Sequence, residues 1–279
     1  MSKIVNILDE IIAFKKHEVQ EKKKLTPVNS LEQSMYFKKA TNSLSNCLQR
    51  KDNSGIIAEI KRKSPSKGII HPDVSVARLS AEYIAAGASA LSVLTDENYF
   101  GGSNQDLLIA RKQIANPILR KEFIIDEYQV VEAKSIGADV ILLIVACLEK
   151  KTLKSLTGLA HDLDMEVLIE VHDKSEIYDD LFELGDIIGI NNRNLVTFDV
   201  NIETSRILAE LIPEGITLIS ESGLHAPEQL IDLKSHGFNG FLIGENFMRQ
   251  TDPSKACRNF IEKLEILEKS KMKTHYIKK

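Results

Sequence analysis

The sequence predicts an α/β fold, a closed (β/α)8 TIM barrel carrying an N-terminal helical extension. Short runs of Ile, Leu and Val recur from Ile56 onward, each followed by a stretch of helical periodicity. Eight such pairs fit between Ile56 and Leu267, a length that suits a closed barrel better than an open doubly wound sheet. The first strand-to-helix turn also lacks the G-x-G-x-x-G of the open-sheet alternative. With 279 residues and 43% hydrophobic content, one large domain with a substantial core is expected.

In chain order, Ile4 to Lys23 reads as an amphipathic helix. Ile4, Ile7, Leu8, Ile11, Ile12 and Phe14 fall near helical spacing, and Lys15, Lys16, Glu18, Glu21 and Lys22 follow on a polar stretch. Two weaker segments, Leu31 to Lys39 and Leu44 to Arg50, complete an extension (1–55) that caps the barrel (56–267). Strands are expected at Ile56 to Lys61, Ala90 to Leu94, Ile118 to Lys121, Val140 to Ile144, Val167 to Glu170, Ile187 to Ile190, Thr217 to Ser220 and Gly240 to Ile243. Helices are expected between them near Val76 to Ala86, Gln105 to Ile114, Glu127 to Ser135, Lys151 to Leu163, Ser175 to Leu184, Ile202 to Leu211 and Pro227 to Ser235, with a last one at Pro253 to Leu267. Gly87, Gly137, Gly185 and Gly237 stand just past helix ends, where a left-handed cap suits glycine. The basic tail from Lys269 to Lys279 reads as a solvated or frayed end.

Composition narrows the function classes. A formal net charge of −4 argues against nucleic-acid binding. The N-terminus has no signal-peptide pattern, and no run reaches the roughly 18 apolar residues of a membrane helix. Cys47, Cys147 and Cys257 are an odd number without metal-type spacing, and Cys147 falls in a run that reads as buried strand. A cytoplasmic protein acting on a small molecule is expected.

The chemistry concentrates at strand ends. In the first strand, alternation puts Ile56, Ala58 and Ile60 on one face and Ile57, Glu59 and Lys61 on the other, so an acid and a base share a face. The polar turn Ser64-Pro65-Ser66-Lys67-Gly68 follows and can hold an anion. Later strands end in Arg120-Lys121, Glu170, Asn191-Asn192-Arg193 and Ser220-Glu221-Ser222-Gly223. A single strand-end charge is more often solvated than catalytic, but five complementary ends facing one barrel mouth reverse that weighting. The turns Glu221-Ser222-Gly223 and Gly244-Glu245-Asn246 fall after strands seven and eight, where barrels bind phosphate through backbone N–H groups. Phe100 and Phe123 can flank an aromatic substrate. His17, His71, His161, His172, His225, His236 and His275 show no paired ligand spacing, so they read as surface or capping residues and no metal is expected.

Taken in order, ILDEIIAFKKHEV, IIAEIKRKSPSKGII, LSVLTDENYFGGS, PILRKEFIIDEYQV, VLIEVHD, IGINNRNLVTFDVN, LISESGL and LIGENFM resemble the indole-3-glycerol-phosphate synthase family over nearly the whole chain. The resemblance implies tryptophan biosynthesis and a carboxy-lyase needing no cofactor. It implies closure of 1-(2-carboxyphenylamino)-1-deoxyribulose 5-phosphate, an anthranilate phosphosugar, to indole-3-glycerol phosphate with loss of CO2 and water. It further implies Lys121 as general acid, Glu170 as catalytic carboxylate, Glu59 and Lys61 as the first-strand pair, Asn191 and Arg193 as orienting groups, and Ser222 as a catalytic residue in the seventh-strand turn. Phosphate would meet Ser64, Gly223, Gly244 and Glu245, with Glu221 beside them; Phe100, Phe123, Leu142, Leu195 and Ile243 would wall the anthranilate ring. Asn246 departs from the small residue usual there, leaving the backbone donors in place. No nucleic-acid or membrane partner is expected, and the chain is read as a monomer or weak homodimer. A non-catalytic phospholigand-binding barrel and a phosphosugar isomerase barrel are the competing readings.

Overall fold

In the computed structural model, which describes residues 7–277 with side chains through residue 271, eight parallel strands close into a barrel. Ile4, expected to open the first helix, lies outside the described residues, as do Lys278, Lys279 and the His275 side chain. The strands are β1 (Ile56–Ile60), β2 (Ala90–Leu94), β3 (Ile118–Lys121), β4 (Val140–Ile144), β5 (Glu166–Val171), β6 (Ile187–Asn191), β7 (Thr217–Glu221) and β8 (Gly240–Ile243). Each lies within one residue of its expected bounds. β1 pairs with both β2 and β8, which closes the sheet. Strands rich in Ile, Leu and Val suit a sheet buried on both faces.

Alternation sorts the strand residues into two cores. Ile57, Leu119, Leu168, Ile187 and Ile219 pack inside the barrel, whereas Ile56, Ala58, Ile60 and Ile169 pack under the helices. The helices on that outer layer are α4 (Val76–Ala85), α5 (Asn104–Gln113), α6 (Glu127–Ser135), α7 (Lys150–Asp162), α8 (Glu203–Ala209), α9 (Pro227–Lys234) and, after the short α10 (Glu245–Met248), α11 (Pro253–Ile277). Ser75, Ser103 and Asp126 cap α4, α5 and α6 through side chains that accept backbone N–H groups. α11 continues ten residues past Leu267, its expected end.

The N-terminal extension reaches both ends of the barrel. α1 (Ile7–Leu25) brings Ile7, Leu8 and Ile11 to the wall of the cavity at the mouth. α2 is a single turn, Val28–Leu31. α3 (Leu44–Gln49) pushes Leu44 and Leu48 into the inner core, against the residues where strands begin. Glu166, the first residue of β5, holds α3 there by accepting from the Leu44 and Ser45 amides at 2.7 and 3.0 Å. The extension thus plugs one end of the barrel and roofs the other.

Four local expectations fail. The Leu31 to Lys39 helix does not form; the Ser34 hydroxyl donates to the Ser135 carbonyl and accepts from the Phe37 amide, turning the chain away from helix. In place of a helix at Ser175 to Leu184 stand two 3-10 turns, Lys174–Glu176 and Leu181–Glu183. Gly185 is accordingly not a left-handed cap, unlike Gly87, Gly137 and Gly237; a Cβ there would come within 2.8 Å of the Ile169 side chain. Cys147 sits in a 3-10 turn just past β4 and is only partly buried. The polar loop after β1 is a small antiparallel hairpin joining Lys63–Ser64 to Gly68–Ile69.

Candidate active site

Four strands pair an inward-facing apolar core residue with a charged one two positions on. Ile57 precedes Glu59, Leu119 precedes Lys121, Leu168 precedes Glu170, and Ile219 precedes Glu221. Because successive strand residues alternate, this spacing sends all four charged groups toward the same mouth. They meet in one cavity of about 390 Å³, whose walls include every site residue expected from the sequence.

Lys121 is the hub. Its Nζ donates to Glu170 Oε2 at 2.5 Å and to Glu221 Oε2 at 2.6 Å. Burial pulls its pKa down, but Glu170, Glu221 and Glu59 outweigh burial and hold the ammonium above the usual lysine range. Glu170, only 2% exposed, is held well below the ordinary carboxylate range, since Lys121 and His172 overcome its burial. Its other oxygen accepts from Asn191 Nδ2 at 3.2 Å. Glu221 goes the other way: burial above all, with Glu170's charge adding to it, pushes its carboxyl up to about 8 against the pull of Lys121. On β1, Lys61 Nζ donates to Glu59 Oε1 at 2.7 Å.

Two glycines are fixed by these carboxylates. A Cβ on Gly189 would stand 2.6 Å from Glu221 Oε1, and a Cβ on Gly244 would collide with Glu59 Oε1. Gly244, read from the sequence as room for an anion, is therefore also room for Glu59. Ser222 and Gly223 both take left-handed backbone, φ 67° and 74°, which for serine is strained outside special sites. Arg193 ties three loops together. Its Nη1 donates to Phe198 O at 3.2 Å and Ser66 Oγ at 3.3 Å, and its Nη2 lies 3.6 Å from Glu245 Oε2. Across the cavity, the Phe100 and Phe123 rings tilt at 41° with centroids 6.1 Å apart, and Leu142, Leu195 and Ile243 extend this apolar side.

Several expectations about individual residues need correction. Arg120, the strand-end partner of Lys121, faces outward and is wholly buried, donating to Gln129 O at 2.8 Å and Asn104 Oδ1 at 2.9 Å. Lys15 does not face water. It is 0% exposed, with Nζ 2.9 Å from both Glu18 and Asp96 and 3.0 Å from Glu122. His172 is neither a surface nor a capping residue: its side chain is 7% exposed, with Nε2 3.1 Å from Glu170 Oε1. The legible signal was its place two residues beyond Glu170, which alternation returns to the inner side. Among the described residues, no cluster of three or more His, Cys, Asp or Glu has a geometry that could hold a metal ion.

Comparison with known proteins places the chain in a family. The family profile described as indole-3-glycerol phosphate synthase matches residues 8–260. A Bacteroides thetaiotaomicron protein of that name is 45% identical over 261 residues, spanning 93% of this chain and 99% of its own. One from Campylobacter fetus is 45% identical over 253 residues, spanning 91% and 98%. A solved structure described as the tryptophan synthase α2β2 complex of Pyrococcus furiosus aligns with TM-score 0.55 at 13% identity, covering 76% of this chain and 98% of that one; it shows the shared fold.

Proposed function

The chain belongs to the indole-3-glycerol phosphate synthase family, and we propose that the mouth of its barrel carries out that family's ring closure with Lys121 as proton donor and Glu170 as the paired carboxylate. The enzyme closes 1-(2-carboxyphenylamino)-1-deoxyribulose 5-phosphate to indole-3-glycerol phosphate, releasing CO2 and water. The observation that carries the residue assignment is a lysine ammonium, 13% exposed, gripped by two buried carboxylates at the wall of a cavity lined on one side by phenylalanines.

Ring closure needs a proton on the ketone oxygen as the aromatic carbon attacks it. An ammonium kept charged by neighbours and aimed into a cavity supplies that proton. Decarboxylation follows, favoured where the departing carboxylate faces the apolar surface of Phe100, Phe123 and Leu142 rather than a cation. Loss of the hydroxyl then requires a second proton, for which Lys61, held by Glu59, is the placed donor. Glu170 accepts the proton lost from the methylene carbon beside nitrogen as water leaves and the indole forms, and Asn191 keeps its carboxylate turned toward Lys121. The substrate phosphate is held by Ser64, by backbone N–H groups of Gly223, Gly244 and Glu245, and by Arg193, with the hairpin after β1 forming the movable wall.

The test is direct. Purified protein given the anthranilate phosphosugar should produce an indole chromophore with no added metal or cofactor. No product at high enzyme concentration sinks the assignment, and turnover of phosphoribosylanthranilate instead would make it an isomerase.

A further inference from the structure

Glu170 has a third partner that the reaction described above does not use. The ring of His172 lies between two carboxylates, with Nε2 3.1 Å from Glu170 Oε1 and Nδ1 3.3 Å from Glu176 Oε2. The Nε2 approach is poorly aligned for a hydrogen bond, and the better-directed donor to that oxygen is Asn191. The contact is thus one of charge more than of hydrogen bonding. Glu176 is itself fixed, because its Oε2 accepts the His172 backbone N–H at 2.7 Å. The turn carrying it is capped by Asp173, whose Oδ1 accepts the Ser175 amide, also at 2.7 Å. Residues 173–176 are spent on this arrangement, which is why the helix expected from Ser175 does not start there.

We propose that His172, gripped by Glu176, is a positioning residue that fixes the Glu170 carboxylate and supplies it with a lasting positive neighbour. The inference rests on Glu170 being the working carboxylate. His172 is not among the residues lining the cavity, so it acts through Glu170 and does not meet the substrate. Its use appears when Lys121 hands its proton to the substrate. At that moment Glu170 loses its nearest cation, and an isolated buried carboxylate takes up a proton. An imidazolium on the opposite oxygen keeps Glu170 ionised through that step, ready to accept the later proton.

With a carboxylate at each ring nitrogen, both nitrogens must carry protons to make favourable contacts. Burial opposes the charged ring, but Glu170 and Glu176 prevail and raise its pKa to about 10. The other groups facing this pocket do not compete. Lys121 sits across Glu170, with Glu221 beyond it. From the turn after β4, the Cys147 thiol faces Glu170 and Glu176, and Asp9 of α1 faces that thiol. Burial, together with these acids, pushes the thiol above its usual range and leaves it neutral.

The experiment has two arms, run on the full chain. In protein labelled with 15N at histidine, the His172 ring should show imidazolium shifts at pH 8; a neutral ring there overturns the proposal whatever the activity. In the kinetic arm, His172→Gln and Glu176→Gln should each move the acid limb of the kcat–pH profile upward, by about one pH unit for His172→Gln and less for Glu176→Gln. Should His172→Gln fail to fold, Glu176→Gln, at a partly exposed site, carries the same test. An acid limb unmoved in a folded variant overturns the proposal. Wild-type protein in the same series separates the cases: no wild-type turnover refutes the assigned function, whereas normal wild-type turnover with an unmoved limb refutes only the role of His172.

Discussion

Two lysines in this barrel are built almost alike. Lys15 on α1 has Nζ within 3.0 Å of Glu18, Asp96 and Glu122, and Lys121 on β3 has Nζ within 2.6 Å of Glu170 and Glu221. In both, carboxylates outweigh burial and hold the ammonium above the ordinary lysine range. What lies behind the carboxylates differs. Asp96 also accepts the Tyr99 and Phe100 amides, and Glu122 accepts the Phe123 amide and the Thr95 hydroxyl. Every group around Lys15 is thereby tied to backbone or side chain, and the cluster fastens the two loops that carry Phe100 and Phe123. Lys121 is 13% exposed to Lys15's 1% and opens on the cavity. A perturbed charge cluster marks both, and access to a cavity separates the lysine proposed as proton donor from the structural one.

The comparison breaks first at Lys15 if its role is misread. Lys15→Met takes a buried cation from Asp96, from Glu122 and from Glu18, which keeps Lys22, and should cost about 3–5 kcal/mol of stability, read from urea unfolding. Because the folded-state pKa of Lys15 is raised, its contribution is complete below the unfolded value of 10.5 and fades only above it. The gap between wild type and variant should therefore hold steady from pH 7 to pH 10. On acidification it should close below pH 4.5, as Glu18, whose pKa is lowered, takes up its proton. A variant as stable as wild type would make Lys15 incidental.

Lys121→Met should do the reverse, lowering kcat by at least about a hundredfold, roughly 2.7 kcal/mol of transition-state stabilisation. Glu170→Gln should lose at least about as much. Urea midpoints of these variants should move less than that of Lys15→Met, since a cavity admits water to the remaining charges. Near-normal turnover in either removes that residue from the catalytic set.

The sequence made the barrel legible because strand periodicity and turn residues are local signals. The groups proposed as catalytic were legible for the same reason, as a charged residue two positions beyond an apolar one repeats on several strands. Lys15 and Arg120 were misread because each is a polar residue whose burial depends on partners outside its own element, whereas His172 has its partners, Glu170 and Glu176, close in sequence and was misread because alternation was not carried past the end of β5. Lys15 meets Asp96 and Glu122, and Arg120 contacts Asn104 and Glu132. Nothing within a helix turn of Lys15 announces those partners. The missing helix after β5 has a nearer cause. Its periodicity is real, yet Asp173 and Glu176 take competing bonds to nearby backbone groups, a choice that propensity does not rank.

Glu221 offers the finest division between the two clusters. Every carboxylate oxygen around Lys15 meets a cation or a donor, Asp96 Oδ2 through its ion pair with Lys15 alone, whereas Glu221 Oε1 is buried over Gly189 with no hydrogen-bond partner among the described residues. A carboxyl so placed favours its neutral form, consistent with a pKa pushed up to about 8 from the ordinary 4.5. Between those values the folded protein binds more protons than the unfolded chain, so this group makes stability fall as pH rises from 4.5 to 8. Glu221→Gln keeps an acceptor for Lys121 and abolishes the titration. The variant should gain stability relative to wild type across that window, in urea midpoints taken at pH 5 and pH 8, while kcat falls less than for Lys121→Met, by about 1–2 kcal/mol. A gap that stays fixed, or moves toward wild type, would mean that Glu221 is ionised throughout. The Lys121 cluster would then be as fully paired as the Lys15 cluster, and only the cavity would tell them apart.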